Sequence, residues 1–438
     1  MRRVVFTLAP RWSLGLLLVA LAGCGPKPPA RTALRGNLAE LKRDIQSAQQ
    51  AGKLDHDAVV DLAQAVSERE LASAEGSTAA LRVRSLRPCA RPLNTAIKQR
   101  AAADDDVAAE LTLILLEMRV AEPTALLNRH WRSPSGAWRA VAARAAQRPI
   151  DTDMRRSFFV DPDERVRRAA FSAAREAHDA GDLEALLEAA RVDPDPQSQS
   201  LAIRAVGAVG GERAVLALKD LWARADDGAR IAIVDAWTEP ASFATGGARE
   251  LVLAAESGAG LAAVSASYAL ARSRGADAAV ANARLQRNIL DGSDDEKRLA
   301  LSVAPMNAET ELAIAKAAKE ASPELRVVAL TRLAGIEARR TDALRALREI
   351  AKLKVNSESE LRAQADARSA LANAGDRSVL PTLVGQVRDR ELATRSRAAR
   401  GLLSLGDYGN AATALADDDA NLRSEVACSV LALETAQR

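Results

Sequence analysis

The chain has 438 residues, with 61 Lys and Arg against 58 Asp and Glu, 48% hydrophobic residues and only 3% aromatic ones. Three histidines and three cysteines leave little for an imidazole- or thiolate-built centre, and the near balance of charge lacks the basic footprint of non-specific nucleic-acid binding. Abundant Ala, Leu and Arg without strand signals predict packed helices, because Ala lets helix backbones approach and all three favour helix.

At the N-terminus, Arg2, Arg3 and Arg11 precede or flank the apolar run Leu14 to Leu21. That layout predicts a secretory signal over 1–23, too short for a permanent transmembrane helix. Its last residues, Leu21-Ala22-Gly23-Cys24, resemble the lipobox of bacterial lipoproteins. The resemblance implies a diacylglyceryl thioether on Cys24, cleavage before it and acylation of the new amino group, so that two or three acyl chains hold the chain on a membrane. Processing would remove three of the 61 basic residues and no acid, leaving as many basic as acidic residues. Gly25, in place of the Asp that retains some lipoproteins in the inner membrane, implies the outer membrane, with the chain facing the periplasm.

Gly25-Pro26-Lys27-Pro28-Pro29 predicts an extended tether, so that 24–33 comprise the lipidated Cys and a Pro-rich spacer holding the folded part roughly 15 to 30 Å from the membrane. Over 34–103, Leu34, Leu38, Leu41 and Ile45 mark one helix, and Val59, Leu62, Ala63 and Val66 another. This region is read as a helical cap over the open face of the first repeat, with a partner-binding hairpin as the alternative. Cys89 lies in a Pro-flanked loop and Cys428 in an apolar helix; distant in an elongated fold, they are read as unpaired structural cysteines.

From 104 to 438 the chain repeats. An Asp/Pro turn, an apolar-Arg step and an Ala-rich helix recur at Trp138-Arg139, Val166-Arg167, Ala229-Arg230, Leu325-Arg326, Leu361-Arg362, Thr394-Arg395 and Leu422-Arg423, with degraded copies between, at a period of about 32 residues. Leu405-Gly406-Asp407 and Ala374-Gly375-Asp376 close the first helix of a unit with a left-handed Gly and cap the next helix with Asp. Second helices are expected over 213–225, 341–355 and 377–388. One helix pair cannot bury both faces, whereas stacked pairs can, which predicts an α-solenoid. The turn Asp and the helix Arg are read as a capping and ion-pair ladder between units.

These units resemble short bacterial HEAT repeats similar to those of phycobilisome lyases. The resemblance implies an all-α fold, an α-solenoid of about 10 helix-pair repeats over 104–438 with an N-terminal helical cap. It carries no activity across: the His-Glu pairs of HEAT-like di-iron hydroxylases are missing, and a lipobox suits neither DNA glycosylase nor bilin lyase work. His56, His130 and His178 show no metal-ligand spacing, and Gly207, Gly210 and Gly211 fall at a helix corner rather than in a phosphate loop. Trp222 and Trp237 are read as core residues flanking a corner.

The surface feature that suggests binding is charge. Arg284, Arg287, Lys316, Lys319, Arg345, Arg348, Lys352 and Lys354 fall on three successive second helices, which line the concave side in HEAT solenoids. They are candidate contacts for an acidic protein partner or an anionic envelope polymer. No catalytic residue, cofactor, metal, nucleic acid or small-molecule substrate is inferred. The expected function is a membrane-anchored, non-catalytic scaffold of the bacterial cell envelope. An accessory subunit of an envelope assembly, transport or motility complex is the first alternative, and an enzyme with an unrecognised site the second.

Overall fold

The structure, a computed structural model, describes residues 28–73, 82, 85–258, 260–273 and 277–437. The signal segment and Cys24 lie outside the described residues. The fold is all-α. Four N-terminal helices, α1 (Pro28–Arg35), α2 (Leu38–Gln50), α3 (His56–Ala72) and α4 (Asn94–Ala101), precede the stack. The stack continues through α5 (Asp106–Glu117), α6 (Pro123–His130), α7 (Gly136–Ala145), α8 (Thr152–Phe159), α9 (Glu164–Ala177), α10 (Leu183–Val192), α11 (Pro196–Val209) and α12 (Glu212–Trp222). Next come α13 (Asp227–Thr238), α14 (Ala248–Ser257), α15 (Gly260–Arg272), α16 (Ala278–Asp291), α17 (Asp294–Val303), α18 (Ala308–Glu320) and α19 (Pro323–Ala334). The stack ends with α20 (Glu337–Lys352), α21 (Glu358–Asn373), α22 (Leu380–Gln386), α23 (Leu392–Ser404), α24 (Tyr408–Ala411) and α25 (Ala420–Gln437). From α5 on, odd-numbered helices are the first and even-numbered ones the second of each pair, making an α-solenoid of ten pairs closed by α25.

The turn chemistry is as the repeat pattern predicts. Arg139 forks Nε and Nη2 onto Asp161 of the following turn at 2.8 and 2.9 Å, while its Nη1 donates to the carbonyls of Ser133 and Pro134 in its own turn. Arg167 repeats this with Asp193 and the carbonyls of Asp161 and Pro162, and Arg395 with Asp417 and those of Asp389 and Arg390. One planar guanidinium therefore clamps a turn to its own helix and to the next unit. The following acid caps the next helix: Asp163 accepts from the Arg165 N–H, and Asp195 from that of Ser198.

The stack does not end in the open. In the last unit Arg423 donates from Nη1 to the carbonyls of Asp417 and Asp418, but its Nε and Nη2 reach Glu70 of α3 at 3.0 and 2.7 Å. Glu70 stands where the Asp of a further unit would stand, and α3 packs along α25 as the next first helix would. Lys42 pairs with Asp418 at 2.7 Å, Gln49 donates to Asn410 at 2.6 Å, and the His56 Nε2 lies 3.4 Å from Glu434. At the other end of the N-terminal region, α4 packs on α5. Buried apolar residues of α1 to α5 belong to one cluster with those of the C-terminal half, and the second cluster meets it on α5 and again on α15 and α16. The core is thus continuous around a closed ring.

The structure corrects four expectations. Cys89 and Cys428 are not unpaired: they form a disulfide with Cα atoms 5.2 Å apart, because a curved stack brings together residues 339 positions apart. The cap seals the last unit as well as the first. The spacer is not extended to residue 33, since α1 starts at Pro28 and buries Ala30 and Ala33; prolines in a first turn forgo only N–H groups that lack helical partners. Gly36, at φ +83°, and the Asn37 N-cap also divide the single helix expected through Leu34 and Ile45 into α1 and α2.

Two outcomes follow for stability. Cys89→Ser should lower the unfolding midpoint in urea by the equivalent of about 2–4 kcal/mol while leaving far-ultraviolet circular dichroism unchanged; peptide mapping without reductant should recover the linked Cys89 and Cys428 peptides only from the parent protein. Glu70→Ala should cost about 3–5 kcal/mol, because it strands the buried Arg423 guanidinium, whereas Arg345→Ala, which removes an exposed partner of Asp342, should stay within about 0.5 kcal/mol. Equal effects of those two substitutions would contradict the closure.

Candidate protein-docking groove

Over most of the stack successive first helices pack more closely than successive second helices, α16 and α18 being the exception. Small residues cause this: a Cβ at Gly207 of α11 would come within 2.5 Å of the Ala236 backbone in α13. In a closed ring of two layers, the more closely spaced layer is the inner one. The first helices therefore line the concave face, and the second helices form the outer layer, the reverse of the expected arrangement.

The eight basic residues read from the sequence do not make one free stripe. Arg284 donates to the Gly258 carbonyl, Arg348 lies 2.6 Å from Asp376, Arg345 3.1 Å from Asp342 and Lys316 3.9 Å from Glu320. Arg287, Lys319, Lys352 and Lys354 are exposed on the outer layer.

On the inner face, α13, α15 and α17 together line a cavity of about 750 Å³, within the size range of ligand sites. Its apolar wall includes Val234, Phe243, Leu299 and Val303, and its polar groups include Tyr268 and Arg272. The local cause is an irregular connection. After α13 one turn over Pro240–Ser242 runs into a kink over Phe243–Gly247, where Thr245 and Gly246 leave the helical region, Gly246 at φ +125°. The Ser242 hydroxyl donates to the Gly207 carbonyl at 2.8 Å and pins this turn to α11, which leaves Phe243 at the edge of the cavity.

The groove's charges are unevenly satisfied. Asp235 is paired with Arg204 at 2.9 Å. The Arg272 Nη1 is 3.3 Å from the Tyr268 hydroxyl, and its guanidinium lies 5.5 Å from that ring's centre. Arg332 of α19 donates to the carbonyls of Ser302 and Ala304, on either side of the wall residue Val303, and burial pushes its pKa down while nearby Tyr268 acts the other way. Among the described residues neither arginine has a carboxylate partner.

The remaining chemistry-bearing residues lie elsewhere. His130 is buried and stacked on Trp138 with ring centres 4.2 Å apart, and desolvation lowers its pKa. His178 occupies a left-handed cap at φ +50° with its Nδ1 2.9 Å from the Ala208 carbonyl, and His56 belongs to the ring closure. Trp237 is buried against half-buried Trp222, with ring centres 5.3 Å apart. Among the described residues no group of three or more His, Cys, Asp or Glu is placed to hold a metal ion, and no helix is long and apolar enough to cross a membrane.

Sequence reasoning missed this groove because its residues sit on helices whose pattern reads as packing. Two signals pointed to it: Phe243 and Tyr268 are close together in an aromatic-poor chain, and Pro240, Gly246 and Gly247 interrupt the unit. No family model matches the chain, and no curated protein matches it. Among solved structures the chain is similar to the crystal structure of an engineered protein, at 18% identity over 81% of this chain and 99% of that one, with a TM-score of 0.27.

The turn carboxylates set the response to acid. The Arg168 guanidinium beside Asp195 holds its carboxyl far below the usual range, Arg165 lowers that of Asp163, and Arg298 that of Glu324. Unfolding raises each toward about 4, so the stability they contribute is present above that value and is lost as pH falls through it toward the folded-state values. Asp182, raised by burial despite Arg155, works in the opposite sense and offsets part of the loss. The melting temperature should fall between about pH 5 and pH 3, and Asp195→Asn should flatten that fall. A melting temperature independent of pH across this range would contradict the assignment.

Proposed function

We propose that this chain is a lipid-anchored, non-catalytic HEAT-repeat scaffold of the bacterial cell envelope, which docks protein partners on the concave face of its first helices. The observation that carries the reading is the open groove spanning three successive helices of a closed, two-layered ring. The Cys89–Cys428 disulfide supports the compartment, because such bonds form and persist in oxidising, exported locations, the same destination that the Leu21 to Cys24 segment implies. With α1 starting at Pro28, the three residues after Cys24 can reach no further than about 14 Å. The ring would therefore lie against its membrane, most simply the periplasmic face of the outer membrane, rather than float above it.

A dedicated accessory subunit of an envelope complex shares this physics and differs in having one fixed partner. Cys24→Ser should yield an unprocessed or released protein, read by fractionation and by the mass of the N-terminal peptide. Normal processing with unchanged membrane retention would overturn the anchor. Capture from detergent-solubilised membranes should then return either one stoichiometric partner, as for a subunit, or a mixed population, as for a general scaffold.

A further inference from the structure

The docking reading leaves open what the groove recognises, and the unpartnered charges and apolar wall of the groove narrow it. Arg272 and Arg332 come from α15 and α19, on either side of α17: Arg272 lies against the Tyr268 hydroxyl, and Arg332 is held on the carbonyls that flank the wall residue Val303. Arg332 spends two of its five donor hydrogens on the Ser302 and Ala304 carbonyls, which fixes its guanidinium at the rim next to Val303 and leaves three donors. Arg272 is exposed and held over the tyrosine ring. Elsewhere on the inner face the exposed arginines of the neighbouring units have partners: Arg204 has Asp235, Arg298 has Glu324 and Arg175 has Glu239. Two cations without carboxylate partners beside an apolar groove are complementary to an anion brought by a ligand. Facing them, Phe243 and Leu299 offer an apolar wall to whatever carries that anion.

We propose that this groove is a subsite for an extended acidic peptide segment of a partner protein, in which a carboxylate is taken by Arg272 beside the Tyr268 hydroxyl, Arg332 next to Val303 adds to the attraction, and a neighbouring apolar side chain packs on Phe243 and Leu299. This rests on the docking function proposed above and names its ligand. The span favours a peptide. Three first helices at interaxial distances of roughly 8–10 Å make a groove about 16–20 Å across, the length of five or six extended residues. Alternating side chains of an extended segment would place acidic and apolar groups toward opposite walls. Planar carboxylates also match guanidinium forks better than a single ammonium could.

The test uses the full-length chain in detergent and fluorescein-labelled hexapeptides, Ser-Glu-Leu-Glu-Leu-Ser and its Gln-for-Glu counterpart, followed by polarisation. The Glu peptide should bind, the Gln peptide at least tenfold more weakly, and added salt should weaken the former alone. Arg272→Gln and Phe243→Ser should each weaken the Glu peptide at least tenfold, while Arg287→Gln on the outer layer changes nothing. Arg332 is left intact because it also ties α19 to α17, and an unchanged circular dichroism spectrum checks the other variants. No saturable binding up to about 1 mM, equal binding of both peptides, or loss with Arg287→Gln in place of Arg272→Gln would overturn the proposal. Displacement of the Glu peptide by oleate micelles but not by unlabelled Glu peptide would do so as well, by making the site a lipid site. The two levels separate: partner capture that survives Arg272→Gln and Phe243→Ser sinks this subsite and leaves the scaffold standing, whereas loss of all capture from the parent chain sinks the scaffold itself.

Discussion

In the regular units one arginine does the joining on which the rest depends. Placed early in a first helix, it turns one guanidinium edge back onto two carbonyls of the turn it has just left and the other forward onto the acid of the next turn, as at Arg139, Arg167 and Arg395. Burial makes the geometry demanding, since a half-satisfied guanidinium is costly away from water. The clamp therefore sets both the entry angle of its own helix and the offset to its neighbour. Where the clamp is degraded, as at Arg230 and Arg326, the arginine keeps a carbonyl of its own turn but reaches no acid of the next unit, and units are held by apolar contact.

The same constraint closes the ring. A solenoid unit is stabilised mainly by its neighbours, so an open end leaves an arginine without its acid and an apolar helix face without cover. Here the N-terminal region supplies both: Glu70 completes the clamp of Arg423, and α3 covers α25. The disulfide fixes the same junction covalently and shortens the loop that the unfolded chain can explore. Terminal fraying, the usual weakness of a linear array, is then replaced by a seam whose rupture requires a buried ion pair, a disulfide and an apolar face to part together.

Closure also decides which face can receive a partner. Ala and Gly let first helices approach until backbones touch, as at Gly207 and Ala236, and the second helices fan outward. The inner face inherits exposed positions of the first helices, one stripe per unit, most of which are consumed by ion pairs between neighbours. The irregular turn after α13 breaks that economy. It places Phe243 at the edge of the groove, where Arg272 has an aromatic ring, and nearby Arg332 two carbonyls, for company instead of acids.

Local chemistry was legible in the sequence. Asp-Pro turns, apolar-Arg steps, Ala faces and Gly-Asp corners each act within a few residues, so the helix pairs, the period and the ladder could be read directly from Arg139, Asp161 and Gly406. What could not be read is whatever depends on the accumulated curvature of ten pairs. A small rotation per unit is invisible in any one repeat, yet its sum determines whether the ends meet. For that reason Cys89 and Cys428 looked isolated, the second helices were assigned the inner face, and Arg287 and its neighbours looked more exposed to a partner than Arg272. The sequence alone determined a stacked helical repeat behind a signal-like N-terminus, because those are properties of short segments. Only the tertiary structure decided the ring, its disulfide seam and its inner groove, because these are set by how the packing angles of distant units add.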